Sequence, residues 1–451
     1  MTELTRSRNQ AHHEPSPVPT PTLLTPHLPP KTLVGIDLIT FTSTPNFYGI
    51  RDIPAGWHFL YTGTTEGLSL RCGEWFFIDE SNGKDAVGQP VLIRRWNSVT
   101  EALEPLLGTG EGYQEAMRYR ANLGALWRGG GLFGYRSRVP ARRGPDATQD
   151  DDEGEEEGKR EWRELTDRLS AGLLSRITGE ESGAVDWEGS ARWVVTSGST
   201  ARRDDDDIPG LEGSISNQFV GSGTAGEKER EFSFLPVDLK MTWREGAIGR
   251  ERTEAARDRS WALGEIIQRV SSHSEADGEA QVLGELQFTF LMGLTLMNFS
   301  CLQQWKRLLR LILTCRRAIM ERASFMVDVL QLLLQQLKRC DDVEGGLFDQ
   351  LGAEEGAGEG GDFLRKLLKG FRKALYEVLE DGGGSSPVKI EFERLETYVK
   401  CEYDWELNRD AVLRKGMLQL EDGEEVEMEM IEDEEDDYAP VVVDLETIQE
   451  G

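Results

Sequence analysis

Outside the first thirty residues, the only histidines in this 451-residue chain are His58 and His273. That shortage starves any Ser-His-Asp, Cys-His or His-metal scheme, because each needs an imidazole beside a nucleophile or an ion. His58 lies between Trp57 and Phe59 in a strand-like run, where a buried, hydrogen-bonded structural role suits it. Cys72, Cys301, Cys315, Cys340 and Cys401 are scattered without a CxxC pair, as isolated thiols in a reducing compartment would be. Gly129 to Gly134 matches GxGxxG by letter, but no strand precedes it and Pro140 and Pro145 follow, so the dinucleotide reading fails on context. There is no P-loop and no Asp-Thr-Gly or Asp-Ser-Gly. These residues predict no catalytic group, no metal, no cofactor and no small-molecule ligand. They predict a protein that binds others.

The carboxylates are abundant but grouped. Seven acids lie in Asp150–Glu157, four in Asp204–Asp207 and twelve in Glu421–Asp437, which accounts for most of the formal charge of −30. The acidity belongs to loops and a tail, and it argues against a nucleic-acid-binding surface. Arg128, Arg136, Arg138, Arg142 and Arg143 read as a solvated basic loop.

The elements that must position any site divide into two classes, an α+β chain of two domains. Residues 1–31 read as a disordered leader: Pro15, Pro17, Pro19, Pro21, Pro26, Pro29 and Pro30 forbid regular hydrogen bonding, and a docking peptide is the other use of such a run. Residues 32–127 carry short strand signals, among them 33–41, 57–61, 74–78 and 90–96, with turns at Pro54-Ala55-Gly56 and Ser81-Asn82-Gly83. They predict a β-rich sandwich or barrel-like domain closed by a helix over 111–127. Residues 128–160 read as a flexible linker. Residues 161–418 read as a helical domain with a flexible insertion at about 178–230 and an isolated strand at 192–196. Helices are expected at 251–271, 280–300, 301–318, 319–340 and 362–380, with a short strand and helix within 388–418.

The centre of that domain is Val282 to Arg339. Twenty uncharged residues separate Glu285 from Lys306, enough to raise a membrane span, but Gln287, Asn298, Gln303 and Gln304 are costly in hydrocarbon. Beyond Lys306, Leu308, Leu309, Leu311 and Ile312 recur at helical spacing among basic residues, so a buried core helix followed by amphipathic ones is expected. Trp305 falls at a core position of that pattern.

The tail, 419–451, pairs its acidic run with Tyr438-Ala439-Pro440-Val441-Val442-Val443. Three valines after a proline make a short strand with no evident partner in a helical domain. Three fates are open to it: adding to another protein's sheet edge, docking on the chain's own β-domain, or disorder.

Gly35-Ile36-Asp37, Phe47-Tyr48-Gly49-Ile50, Ile53 to Phe59, Arg94-Arg95-Trp96 and Gly284-Glu285-Leu286-Gln287-Phe288 with Trp305 to Leu309 together resemble the Aar-two family, in a fungal version. These are mating-type-cistron splicing factors that assist U5 small nuclear ribonucleoprotein assembly. The likeness covers about 32–127, 232–340 and, more loosely, the tail. It implies a VHS-like fold for the helical domain. It also implies a partner, the U5 scaffold protein, gripped through its RNase H-like and Jab/MPN-type domains while the helicase and RNA are held off. Val441, Val442 and Val443, with Tyr438 and Pro440, match the strand that bridges the two partner domains, and Glu434 and Asp436 sit in acids suited to mimic RNA phosphates. Cytoplasm and nucleus are the expected locations, with no membrane and no direct nucleic acid contact. Ser386, at the root of the tail, is a candidate phosphosite. The competing expectation is a VHS-like peptide-binding adaptor of membrane traffic; a hydrolase hidden in the β-domain is a third.

Overall fold

A computed structural model describes residues 20–63, 70–79, 91–106, 108, 110–138, 147–179, 191–201, 231–340, 362–382, 386–408, 414–419 and 425–430. Two compact units emerge: residues up to 234 with 281–305, and residues 235–280 with 306 onward.

The first unit is built on two five-stranded sheets. Alternation in the sequence decides which face each strand buries. In β1 (Thr22–Leu24) and β7 (Val91–Asn97), Leu23 and Leu92 join Val34, Ile36, Ile50, Ile53, Leu60, Phe76 and Ile78 in one core. Their neighbours Leu24, Val91 and Ile93 face the other way and pack with Ala116 and Leu123 of helix α1 (Gly110–Arg128). Sheet one runs β8 (Ala102–Pro105), β7, β1, β4 (Gly49–Arg51), β9 (Leu132–Gly134). Sheet two runs β10 (Trp193–Thr196), β6 (Cys72–Ile78), β5 (Gly56–Gly63), β2 (Leu33–Ile36), β3 (Ile39–Thr42), antiparallel throughout. A β-rich first half followed by helices is thus the fold, as the strand and helix periodicities lead one to expect.

Several boundaries differ from expectation. The Pro-rich leader gives way to structure before residue 31. β1 sits between β7 and β4, parallel to the first and antiparallel to the second, and its two leucines are buried. Prolines on both sides favour extended backbone, so they frame this short strand and do not prevent it. The run 33–41 is two strands, because Asp37 turns the chain at φ +56°. Residues 128–160 hold β9, parallel to β4, and most of helix α2 (Ala147–Glu164). Among the described side chains of α2, acids are partnered along the helix and beyond it: Glu156 with Lys159, Glu157 with Arg160, and Glu157 and Glu161 with Arg138. The strand at 193–196 is no isolated piece: it adds to the edge of sheet two against β6. The stripe Trp162, Leu165, Leu169, Leu173 is buried as its spacing requires, yet the helix breaks after 164 and restarts as α3 (Ala171–Thr178), where Ser170 Oγ accepts from the Leu173 amide.

The buried helix at the chain's centre is present. It starts earlier than its apolar run, as α4 to α6 run Arg250–Arg257, Ser260–Val270 and Glu275–Leu296. Val282, Leu286, Phe288, Phe290, Leu291 and Met292 are fully buried. α7 (Phe299–Ile312) carries Trp305, which is fully buried against Phe290 in the first unit. Among the described residues no helix is long and apolar enough to cross a membrane. The second unit continues with α8 (Ala318–Glu321), α9 (Ala323–Leu337), α10 (Asp362–Gly382) and α11 (Pro387–Tyr403), the last packing on α9. β11 (Arg414–Gln419) and β12 (Glu425–Met430) form an antiparallel hairpin.

One carboxylate organises the α4–α5 corner of that unit. Asp258 accepts from the Ser260 amide, the Ser260 hydroxyl, the Arg316 amide and Arg317 Nε. Burial by itself pushes this carboxyl up, but the Ser260 hydrogen bonds and the Arg317 charge outweigh it and hold it below the usual carboxylate range. A carboxyl lowered on folding stabilises above its unfolded value of about 3.9 and loses that contribution as pH falls through the folded value. Denaturant midpoints measured from pH 6 down to 2 are expected to fall more steeply below about pH 4 for the wild type than for Asp258→Asn; parallel profiles would refute this assignment.

Candidate functional site

Three polar residues from distant positions meet inside the first unit. Asp37 owes its place to the turn between β2 and β3, His58 to an inward position on β5, and Tyr135 to the residue after β9. Asp37 Oδ2 lies 2.8 Å from His58 Nδ1 and accepts from the Tyr135 hydroxyl at 2.6 Å, while Asp37 Oδ1 accepts from the Phe59 amide at 2.9 Å. His58 Nε2 lies 2.9 Å from the Pro54 carbonyl oxygen. A carbonyl oxygen only accepts, so Nε2 carries a hydrogen, and Nδ1 is engaged with a carboxylate. Burial, then the negative charge of Asp37, pushes the Tyr135 phenol far above its ordinary range. Neither ring nitrogen is free to take a proton from a substrate. The His58 imidazole, 1% exposed, cross-links a turn, a strand and the strand end that follows β9. Its place in the apolar alternation of β5 was legible from sequence; its partners were not, since Tyr135 lies 98 residues from Asp37.

A second cluster follows the same logic. Arg94, fully buried on β7, pairs with Glu74 of β6, and Arg192 Nη1 reaches the other Glu74 oxygen at 2.9 Å. A third sits on the helix at 281–296. Glu285, fully buried, takes Arg176 Nη1 at 2.8 Å and Gln304 Nε2 at 2.8 Å. Gln287 accepts from the Arg168 amide and donates to the Glu164 carbonyl and to Asp167 Oδ1. In all three clusters both oxygens of the central carboxylate, Asp37, Glu74 or Glu285, are engaged. Among the described residues no group of three or more His, Cys, Asp or Glu could hold a metal ion, and no disulfide forms, with Cys301, Cys315 and Cys340 buried.

What stays accessible beside the His58 network is a cleft of about 350 Å³. Pro54, Ala55 and Gly56 form one wall, Trp57 and Phe77 of sheet two another, and Lys159, Trp162 and Arg163 of α2 a third. The Trp162 indole donates to the Trp57 carbonyl at 2.7 Å, which fixes the helix against the strand. Trp57 and Phe77 rings lie 5.0 Å apart, and Phe77 is half exposed. The lining is mainly aromatic and backbone, with Lys159, Arg163, Thr166 and Asp167 as further polar members.

The residues expected to grip a partner, Glu434, Asp436, Tyr438, Pro440, Val441, Val442 and Val443, lie outside the described residues. The hairpin of β11 and β12 comes just before them, and among the described residues each of its strands pairs only with the other. Ser386 is described: it is buried at the N-cap of α11, its backbone oxygen accepts from the Lys389 and Ile390 amides, and Pro387 follows at the first helical position. A kinase reaches that hydroxyl only when the start of α11 opens. The glycines 129–131 follow a helix and lead into a strand, the reverse of a phosphate-binding turn.

The Asp37–His58–Tyr135 network is expected to act as a structural lock. Tyr135→Phe removes one donor to a buried carboxylate and should lower stability by about 1–3 kcal/mol. Equilibrium unfolding monitored by circular dichroism checks this, and an unchanged midpoint would show the hydroxyl to be dispensable.

Comparison with known proteins places these features in a family. The model described as AAR2 N-terminal domain matches residues 19–179, and that described as AAR2 C-terminal repeat region matches residues 234–408. The AAR2 homolog of Homo sapiens is 23% identical over 392 residues, covering 84% of this chain and 88% of its own. The homologs of Pongo abelii and Mus musculus are each 22% identical, over 84% and 85% of this chain and 88% and 89% of theirs. The two domain models fall in order and span well over half the sequence, from β1 to the end of α11: this chain belongs to the AAR2 family.

Proposed function

We propose that this protein is a pre-mRNA splicing factor that acts by binding, as an assembly chaperone of the U5 small nuclear ribonucleoprotein in cytoplasm and nucleus. Its partner is the spliceosomal scaffold protein, held through the RNase H-like and Jab/MPN-type domains, so that helicase and RNA are kept away until release. The observation that carries the reading is membership of the family across both domains. The chemistry of the interior agrees with it: His58 and the buried carboxylates Asp37, Glu74 and Glu285 are engaged by partners within the fold. The tail then supplies the grip. Val441 to Val443 add a strand to a partner sheet, and Glu434 and Asp436 oppose basic surfaces of the scaffold that would otherwise receive phosphates.

Strand addition draws its affinity from main-chain hydrogen bonds, and one tail that engages two domains gains from linkage. Deleting residues 438–451 is therefore expected to weaken binding to the paired partner domains by on the order of a hundredfold in calorimetric titration, with the thermal midpoint unchanged. A truncated protein that holds both domains as before would end the strand-donor reading.

Release is proposed to follow phosphorylation at Ser386, where added charge beside an acidic segment disfavours the complex. Ser386→Asp is expected to weaken scaffold binding by about tenfold, equal to some 1.4 kcal/mol. Unaltered affinity in the same titration would remove this serine from the mechanism.

A further inference from the structure

The cleft beside His58 has the make-up of a proline-peptide groove. Such grooves present aromatic faces to a preformed left-handed extended helix, whose ordering costs little because proline has already fixed the backbone. Here Trp57 and Phe77 supply the faces, Trp162 the floor, and Lys159, Arg163 and Asp167 the charged rim. The chain also carries a matching segment, Glu14-Pro15-Ser16-Pro17-Val18-Pro19, just ahead of the described residues. With three residues per turn, Pro15, Val18 and Pro21 fall on one edge of such a helix and make an apolar ridge, with Glu14 at its end.

The point at which that segment joins the fold argues for the same pairing. Pro21 contributes its carbonyl oxygen to the Ile53 amide at 3.2 Å, and the Thr20 hydroxyl accepts from the Asp52 amide at 3.2 Å. The next residues, Pro54, Ala55 and Gly56, are the wall of the cleft. The segment is therefore tethered beside the groove it fits, and six residues at about 3.1 Å each reach some 19 Å from Pro21. On the rim Lys159 is paired with Glu156 at 2.8 Å, Asp167 adds a carboxylate, and the exposed Arg163 is the cation that Glu14 would meet. We propose that the Trp57–Phe77–Trp162 cleft binds the chain's own residues 14–19 as a polyproline helix, masking a peptide-recognition surface on the β-rich unit. The masking is independent of the tail and of any grip that the tail exerts.

A fluorescein-labelled peptide spanning residues 12–21, titrated by fluorescence anisotropy into three full-length proteins, tests this. They are the wild type, the leader variant Pro15→Ser/Val18→Ser, and that variant with Phe77→Ser added. The leader substitutions precede the described fold, and Phe77 is half exposed, so folding is not at stake in either; circular dichroism checks it. A tether of this length gives an effective concentration of about 1 mM, so a groove with an intrinsic dissociation constant of about 100 μM is masked roughly tenfold. The peptide is expected to bind the leader variant about tenfold more tightly than the wild type, and Phe77→Ser to remove that binding. Absence of binding to the leader variant would overturn the proposal, as would retention of binding after Phe77→Ser. Equal affinity for wild type and leader variant would also overturn it, and would mean that the groove stands open to another protein's proline-rich segment.

Discussion

A helix surrounded by protein on every side has nowhere to send its polar side chains except to specific partners, and that demand shapes the first unit. Residues 282–296 are buried almost without a break, yet Glu285 and Gln287 lie among them and Asn298 just beyond. Leaving any one unpaired would cost about 2–7 kcal/mol for a neutral group and more for a carboxylate. Each is paired with chain that would otherwise be loop. Gln287 holds the turn between α2 and α3 through Arg168, Glu164 and Asp167, Glu285 takes Arg176 from α3, and Asn298 donates to the Thr196 and Ser199 carbonyls at the end of β10. Gly284 belongs to the same contact, since a Cβ there would fall 2.6 Å from the Arg168 carbonyl oxygen. Polar residues that argue against a membrane span in the sequence are, in the fold, what fastens helix to loop.

The sheets repeat this economy with shorter reach. Asp37 serves the β2–β3 turn, β5 and Tyr135 at once, and Glu74 joins Arg94 to Arg192. Buried ion pairs of this kind are weak evidence for net stability, because desolvation offsets much of the attraction. What they do firmly is penalise every register in which a partner is missing. β10 aligns Val194 with Glu74 on β6, while its neighbour Arg192 carries the guanidinium that meets the carboxylate. Charge pairing thereby selects the register along with apolar alternation.

How much of this was legible depended on the range of the signal. Period-2 and period-3.6 patterns are local, so most strands, α1, the buried helix and α10 were readable from neighbours in sequence. The missed elements are those fixed by distant partners. β1 has only three residues among prolines and exists because β7 and β4 flank it. β9 is a short strand whose partner lies more than eighty residues earlier in the chain, and β10, readable as a strand, gave no sign of its partner β6. The acidic run 150–157 reads as solvated loop because its counter-ions, Arg138 and Lys159 among them, do not announce themselves by type. The same limit applied to the site. His58 could be placed in a core strand from its neighbours, while Tyr135, and a cleft built from residues 54–58, 77 and 159–163, required the fold.

The engagement of His58 and of the buried carboxylates bears on how a protein of this kind can work. A carboxylate or imidazole available for catalysis needs an unspent lone pair or proton directed at space that a substrate can occupy. Along the cleft wall, His58 is committed on both nitrogens and Tyr135 on its hydroxyl, and the rest of the lining is aromatic rings, aliphatic groups and backbone with Lys159, Arg163, Thr166 and Asp167. A surface of this make-up would, under the proposal above, discriminate by shape and by the stiffness of what it accepts. Pre-ordered ligands suit it best, whether a polyproline segment or a strand with consecutive β-branched residues, since neither gives up much freedom on binding. The chain carries one of each beyond the described residues, Pro15–Pro19 and Val441–Val443. Recognition of a stiff, extended segment is thus the feature that the two proposals, cleft and tail, have in common.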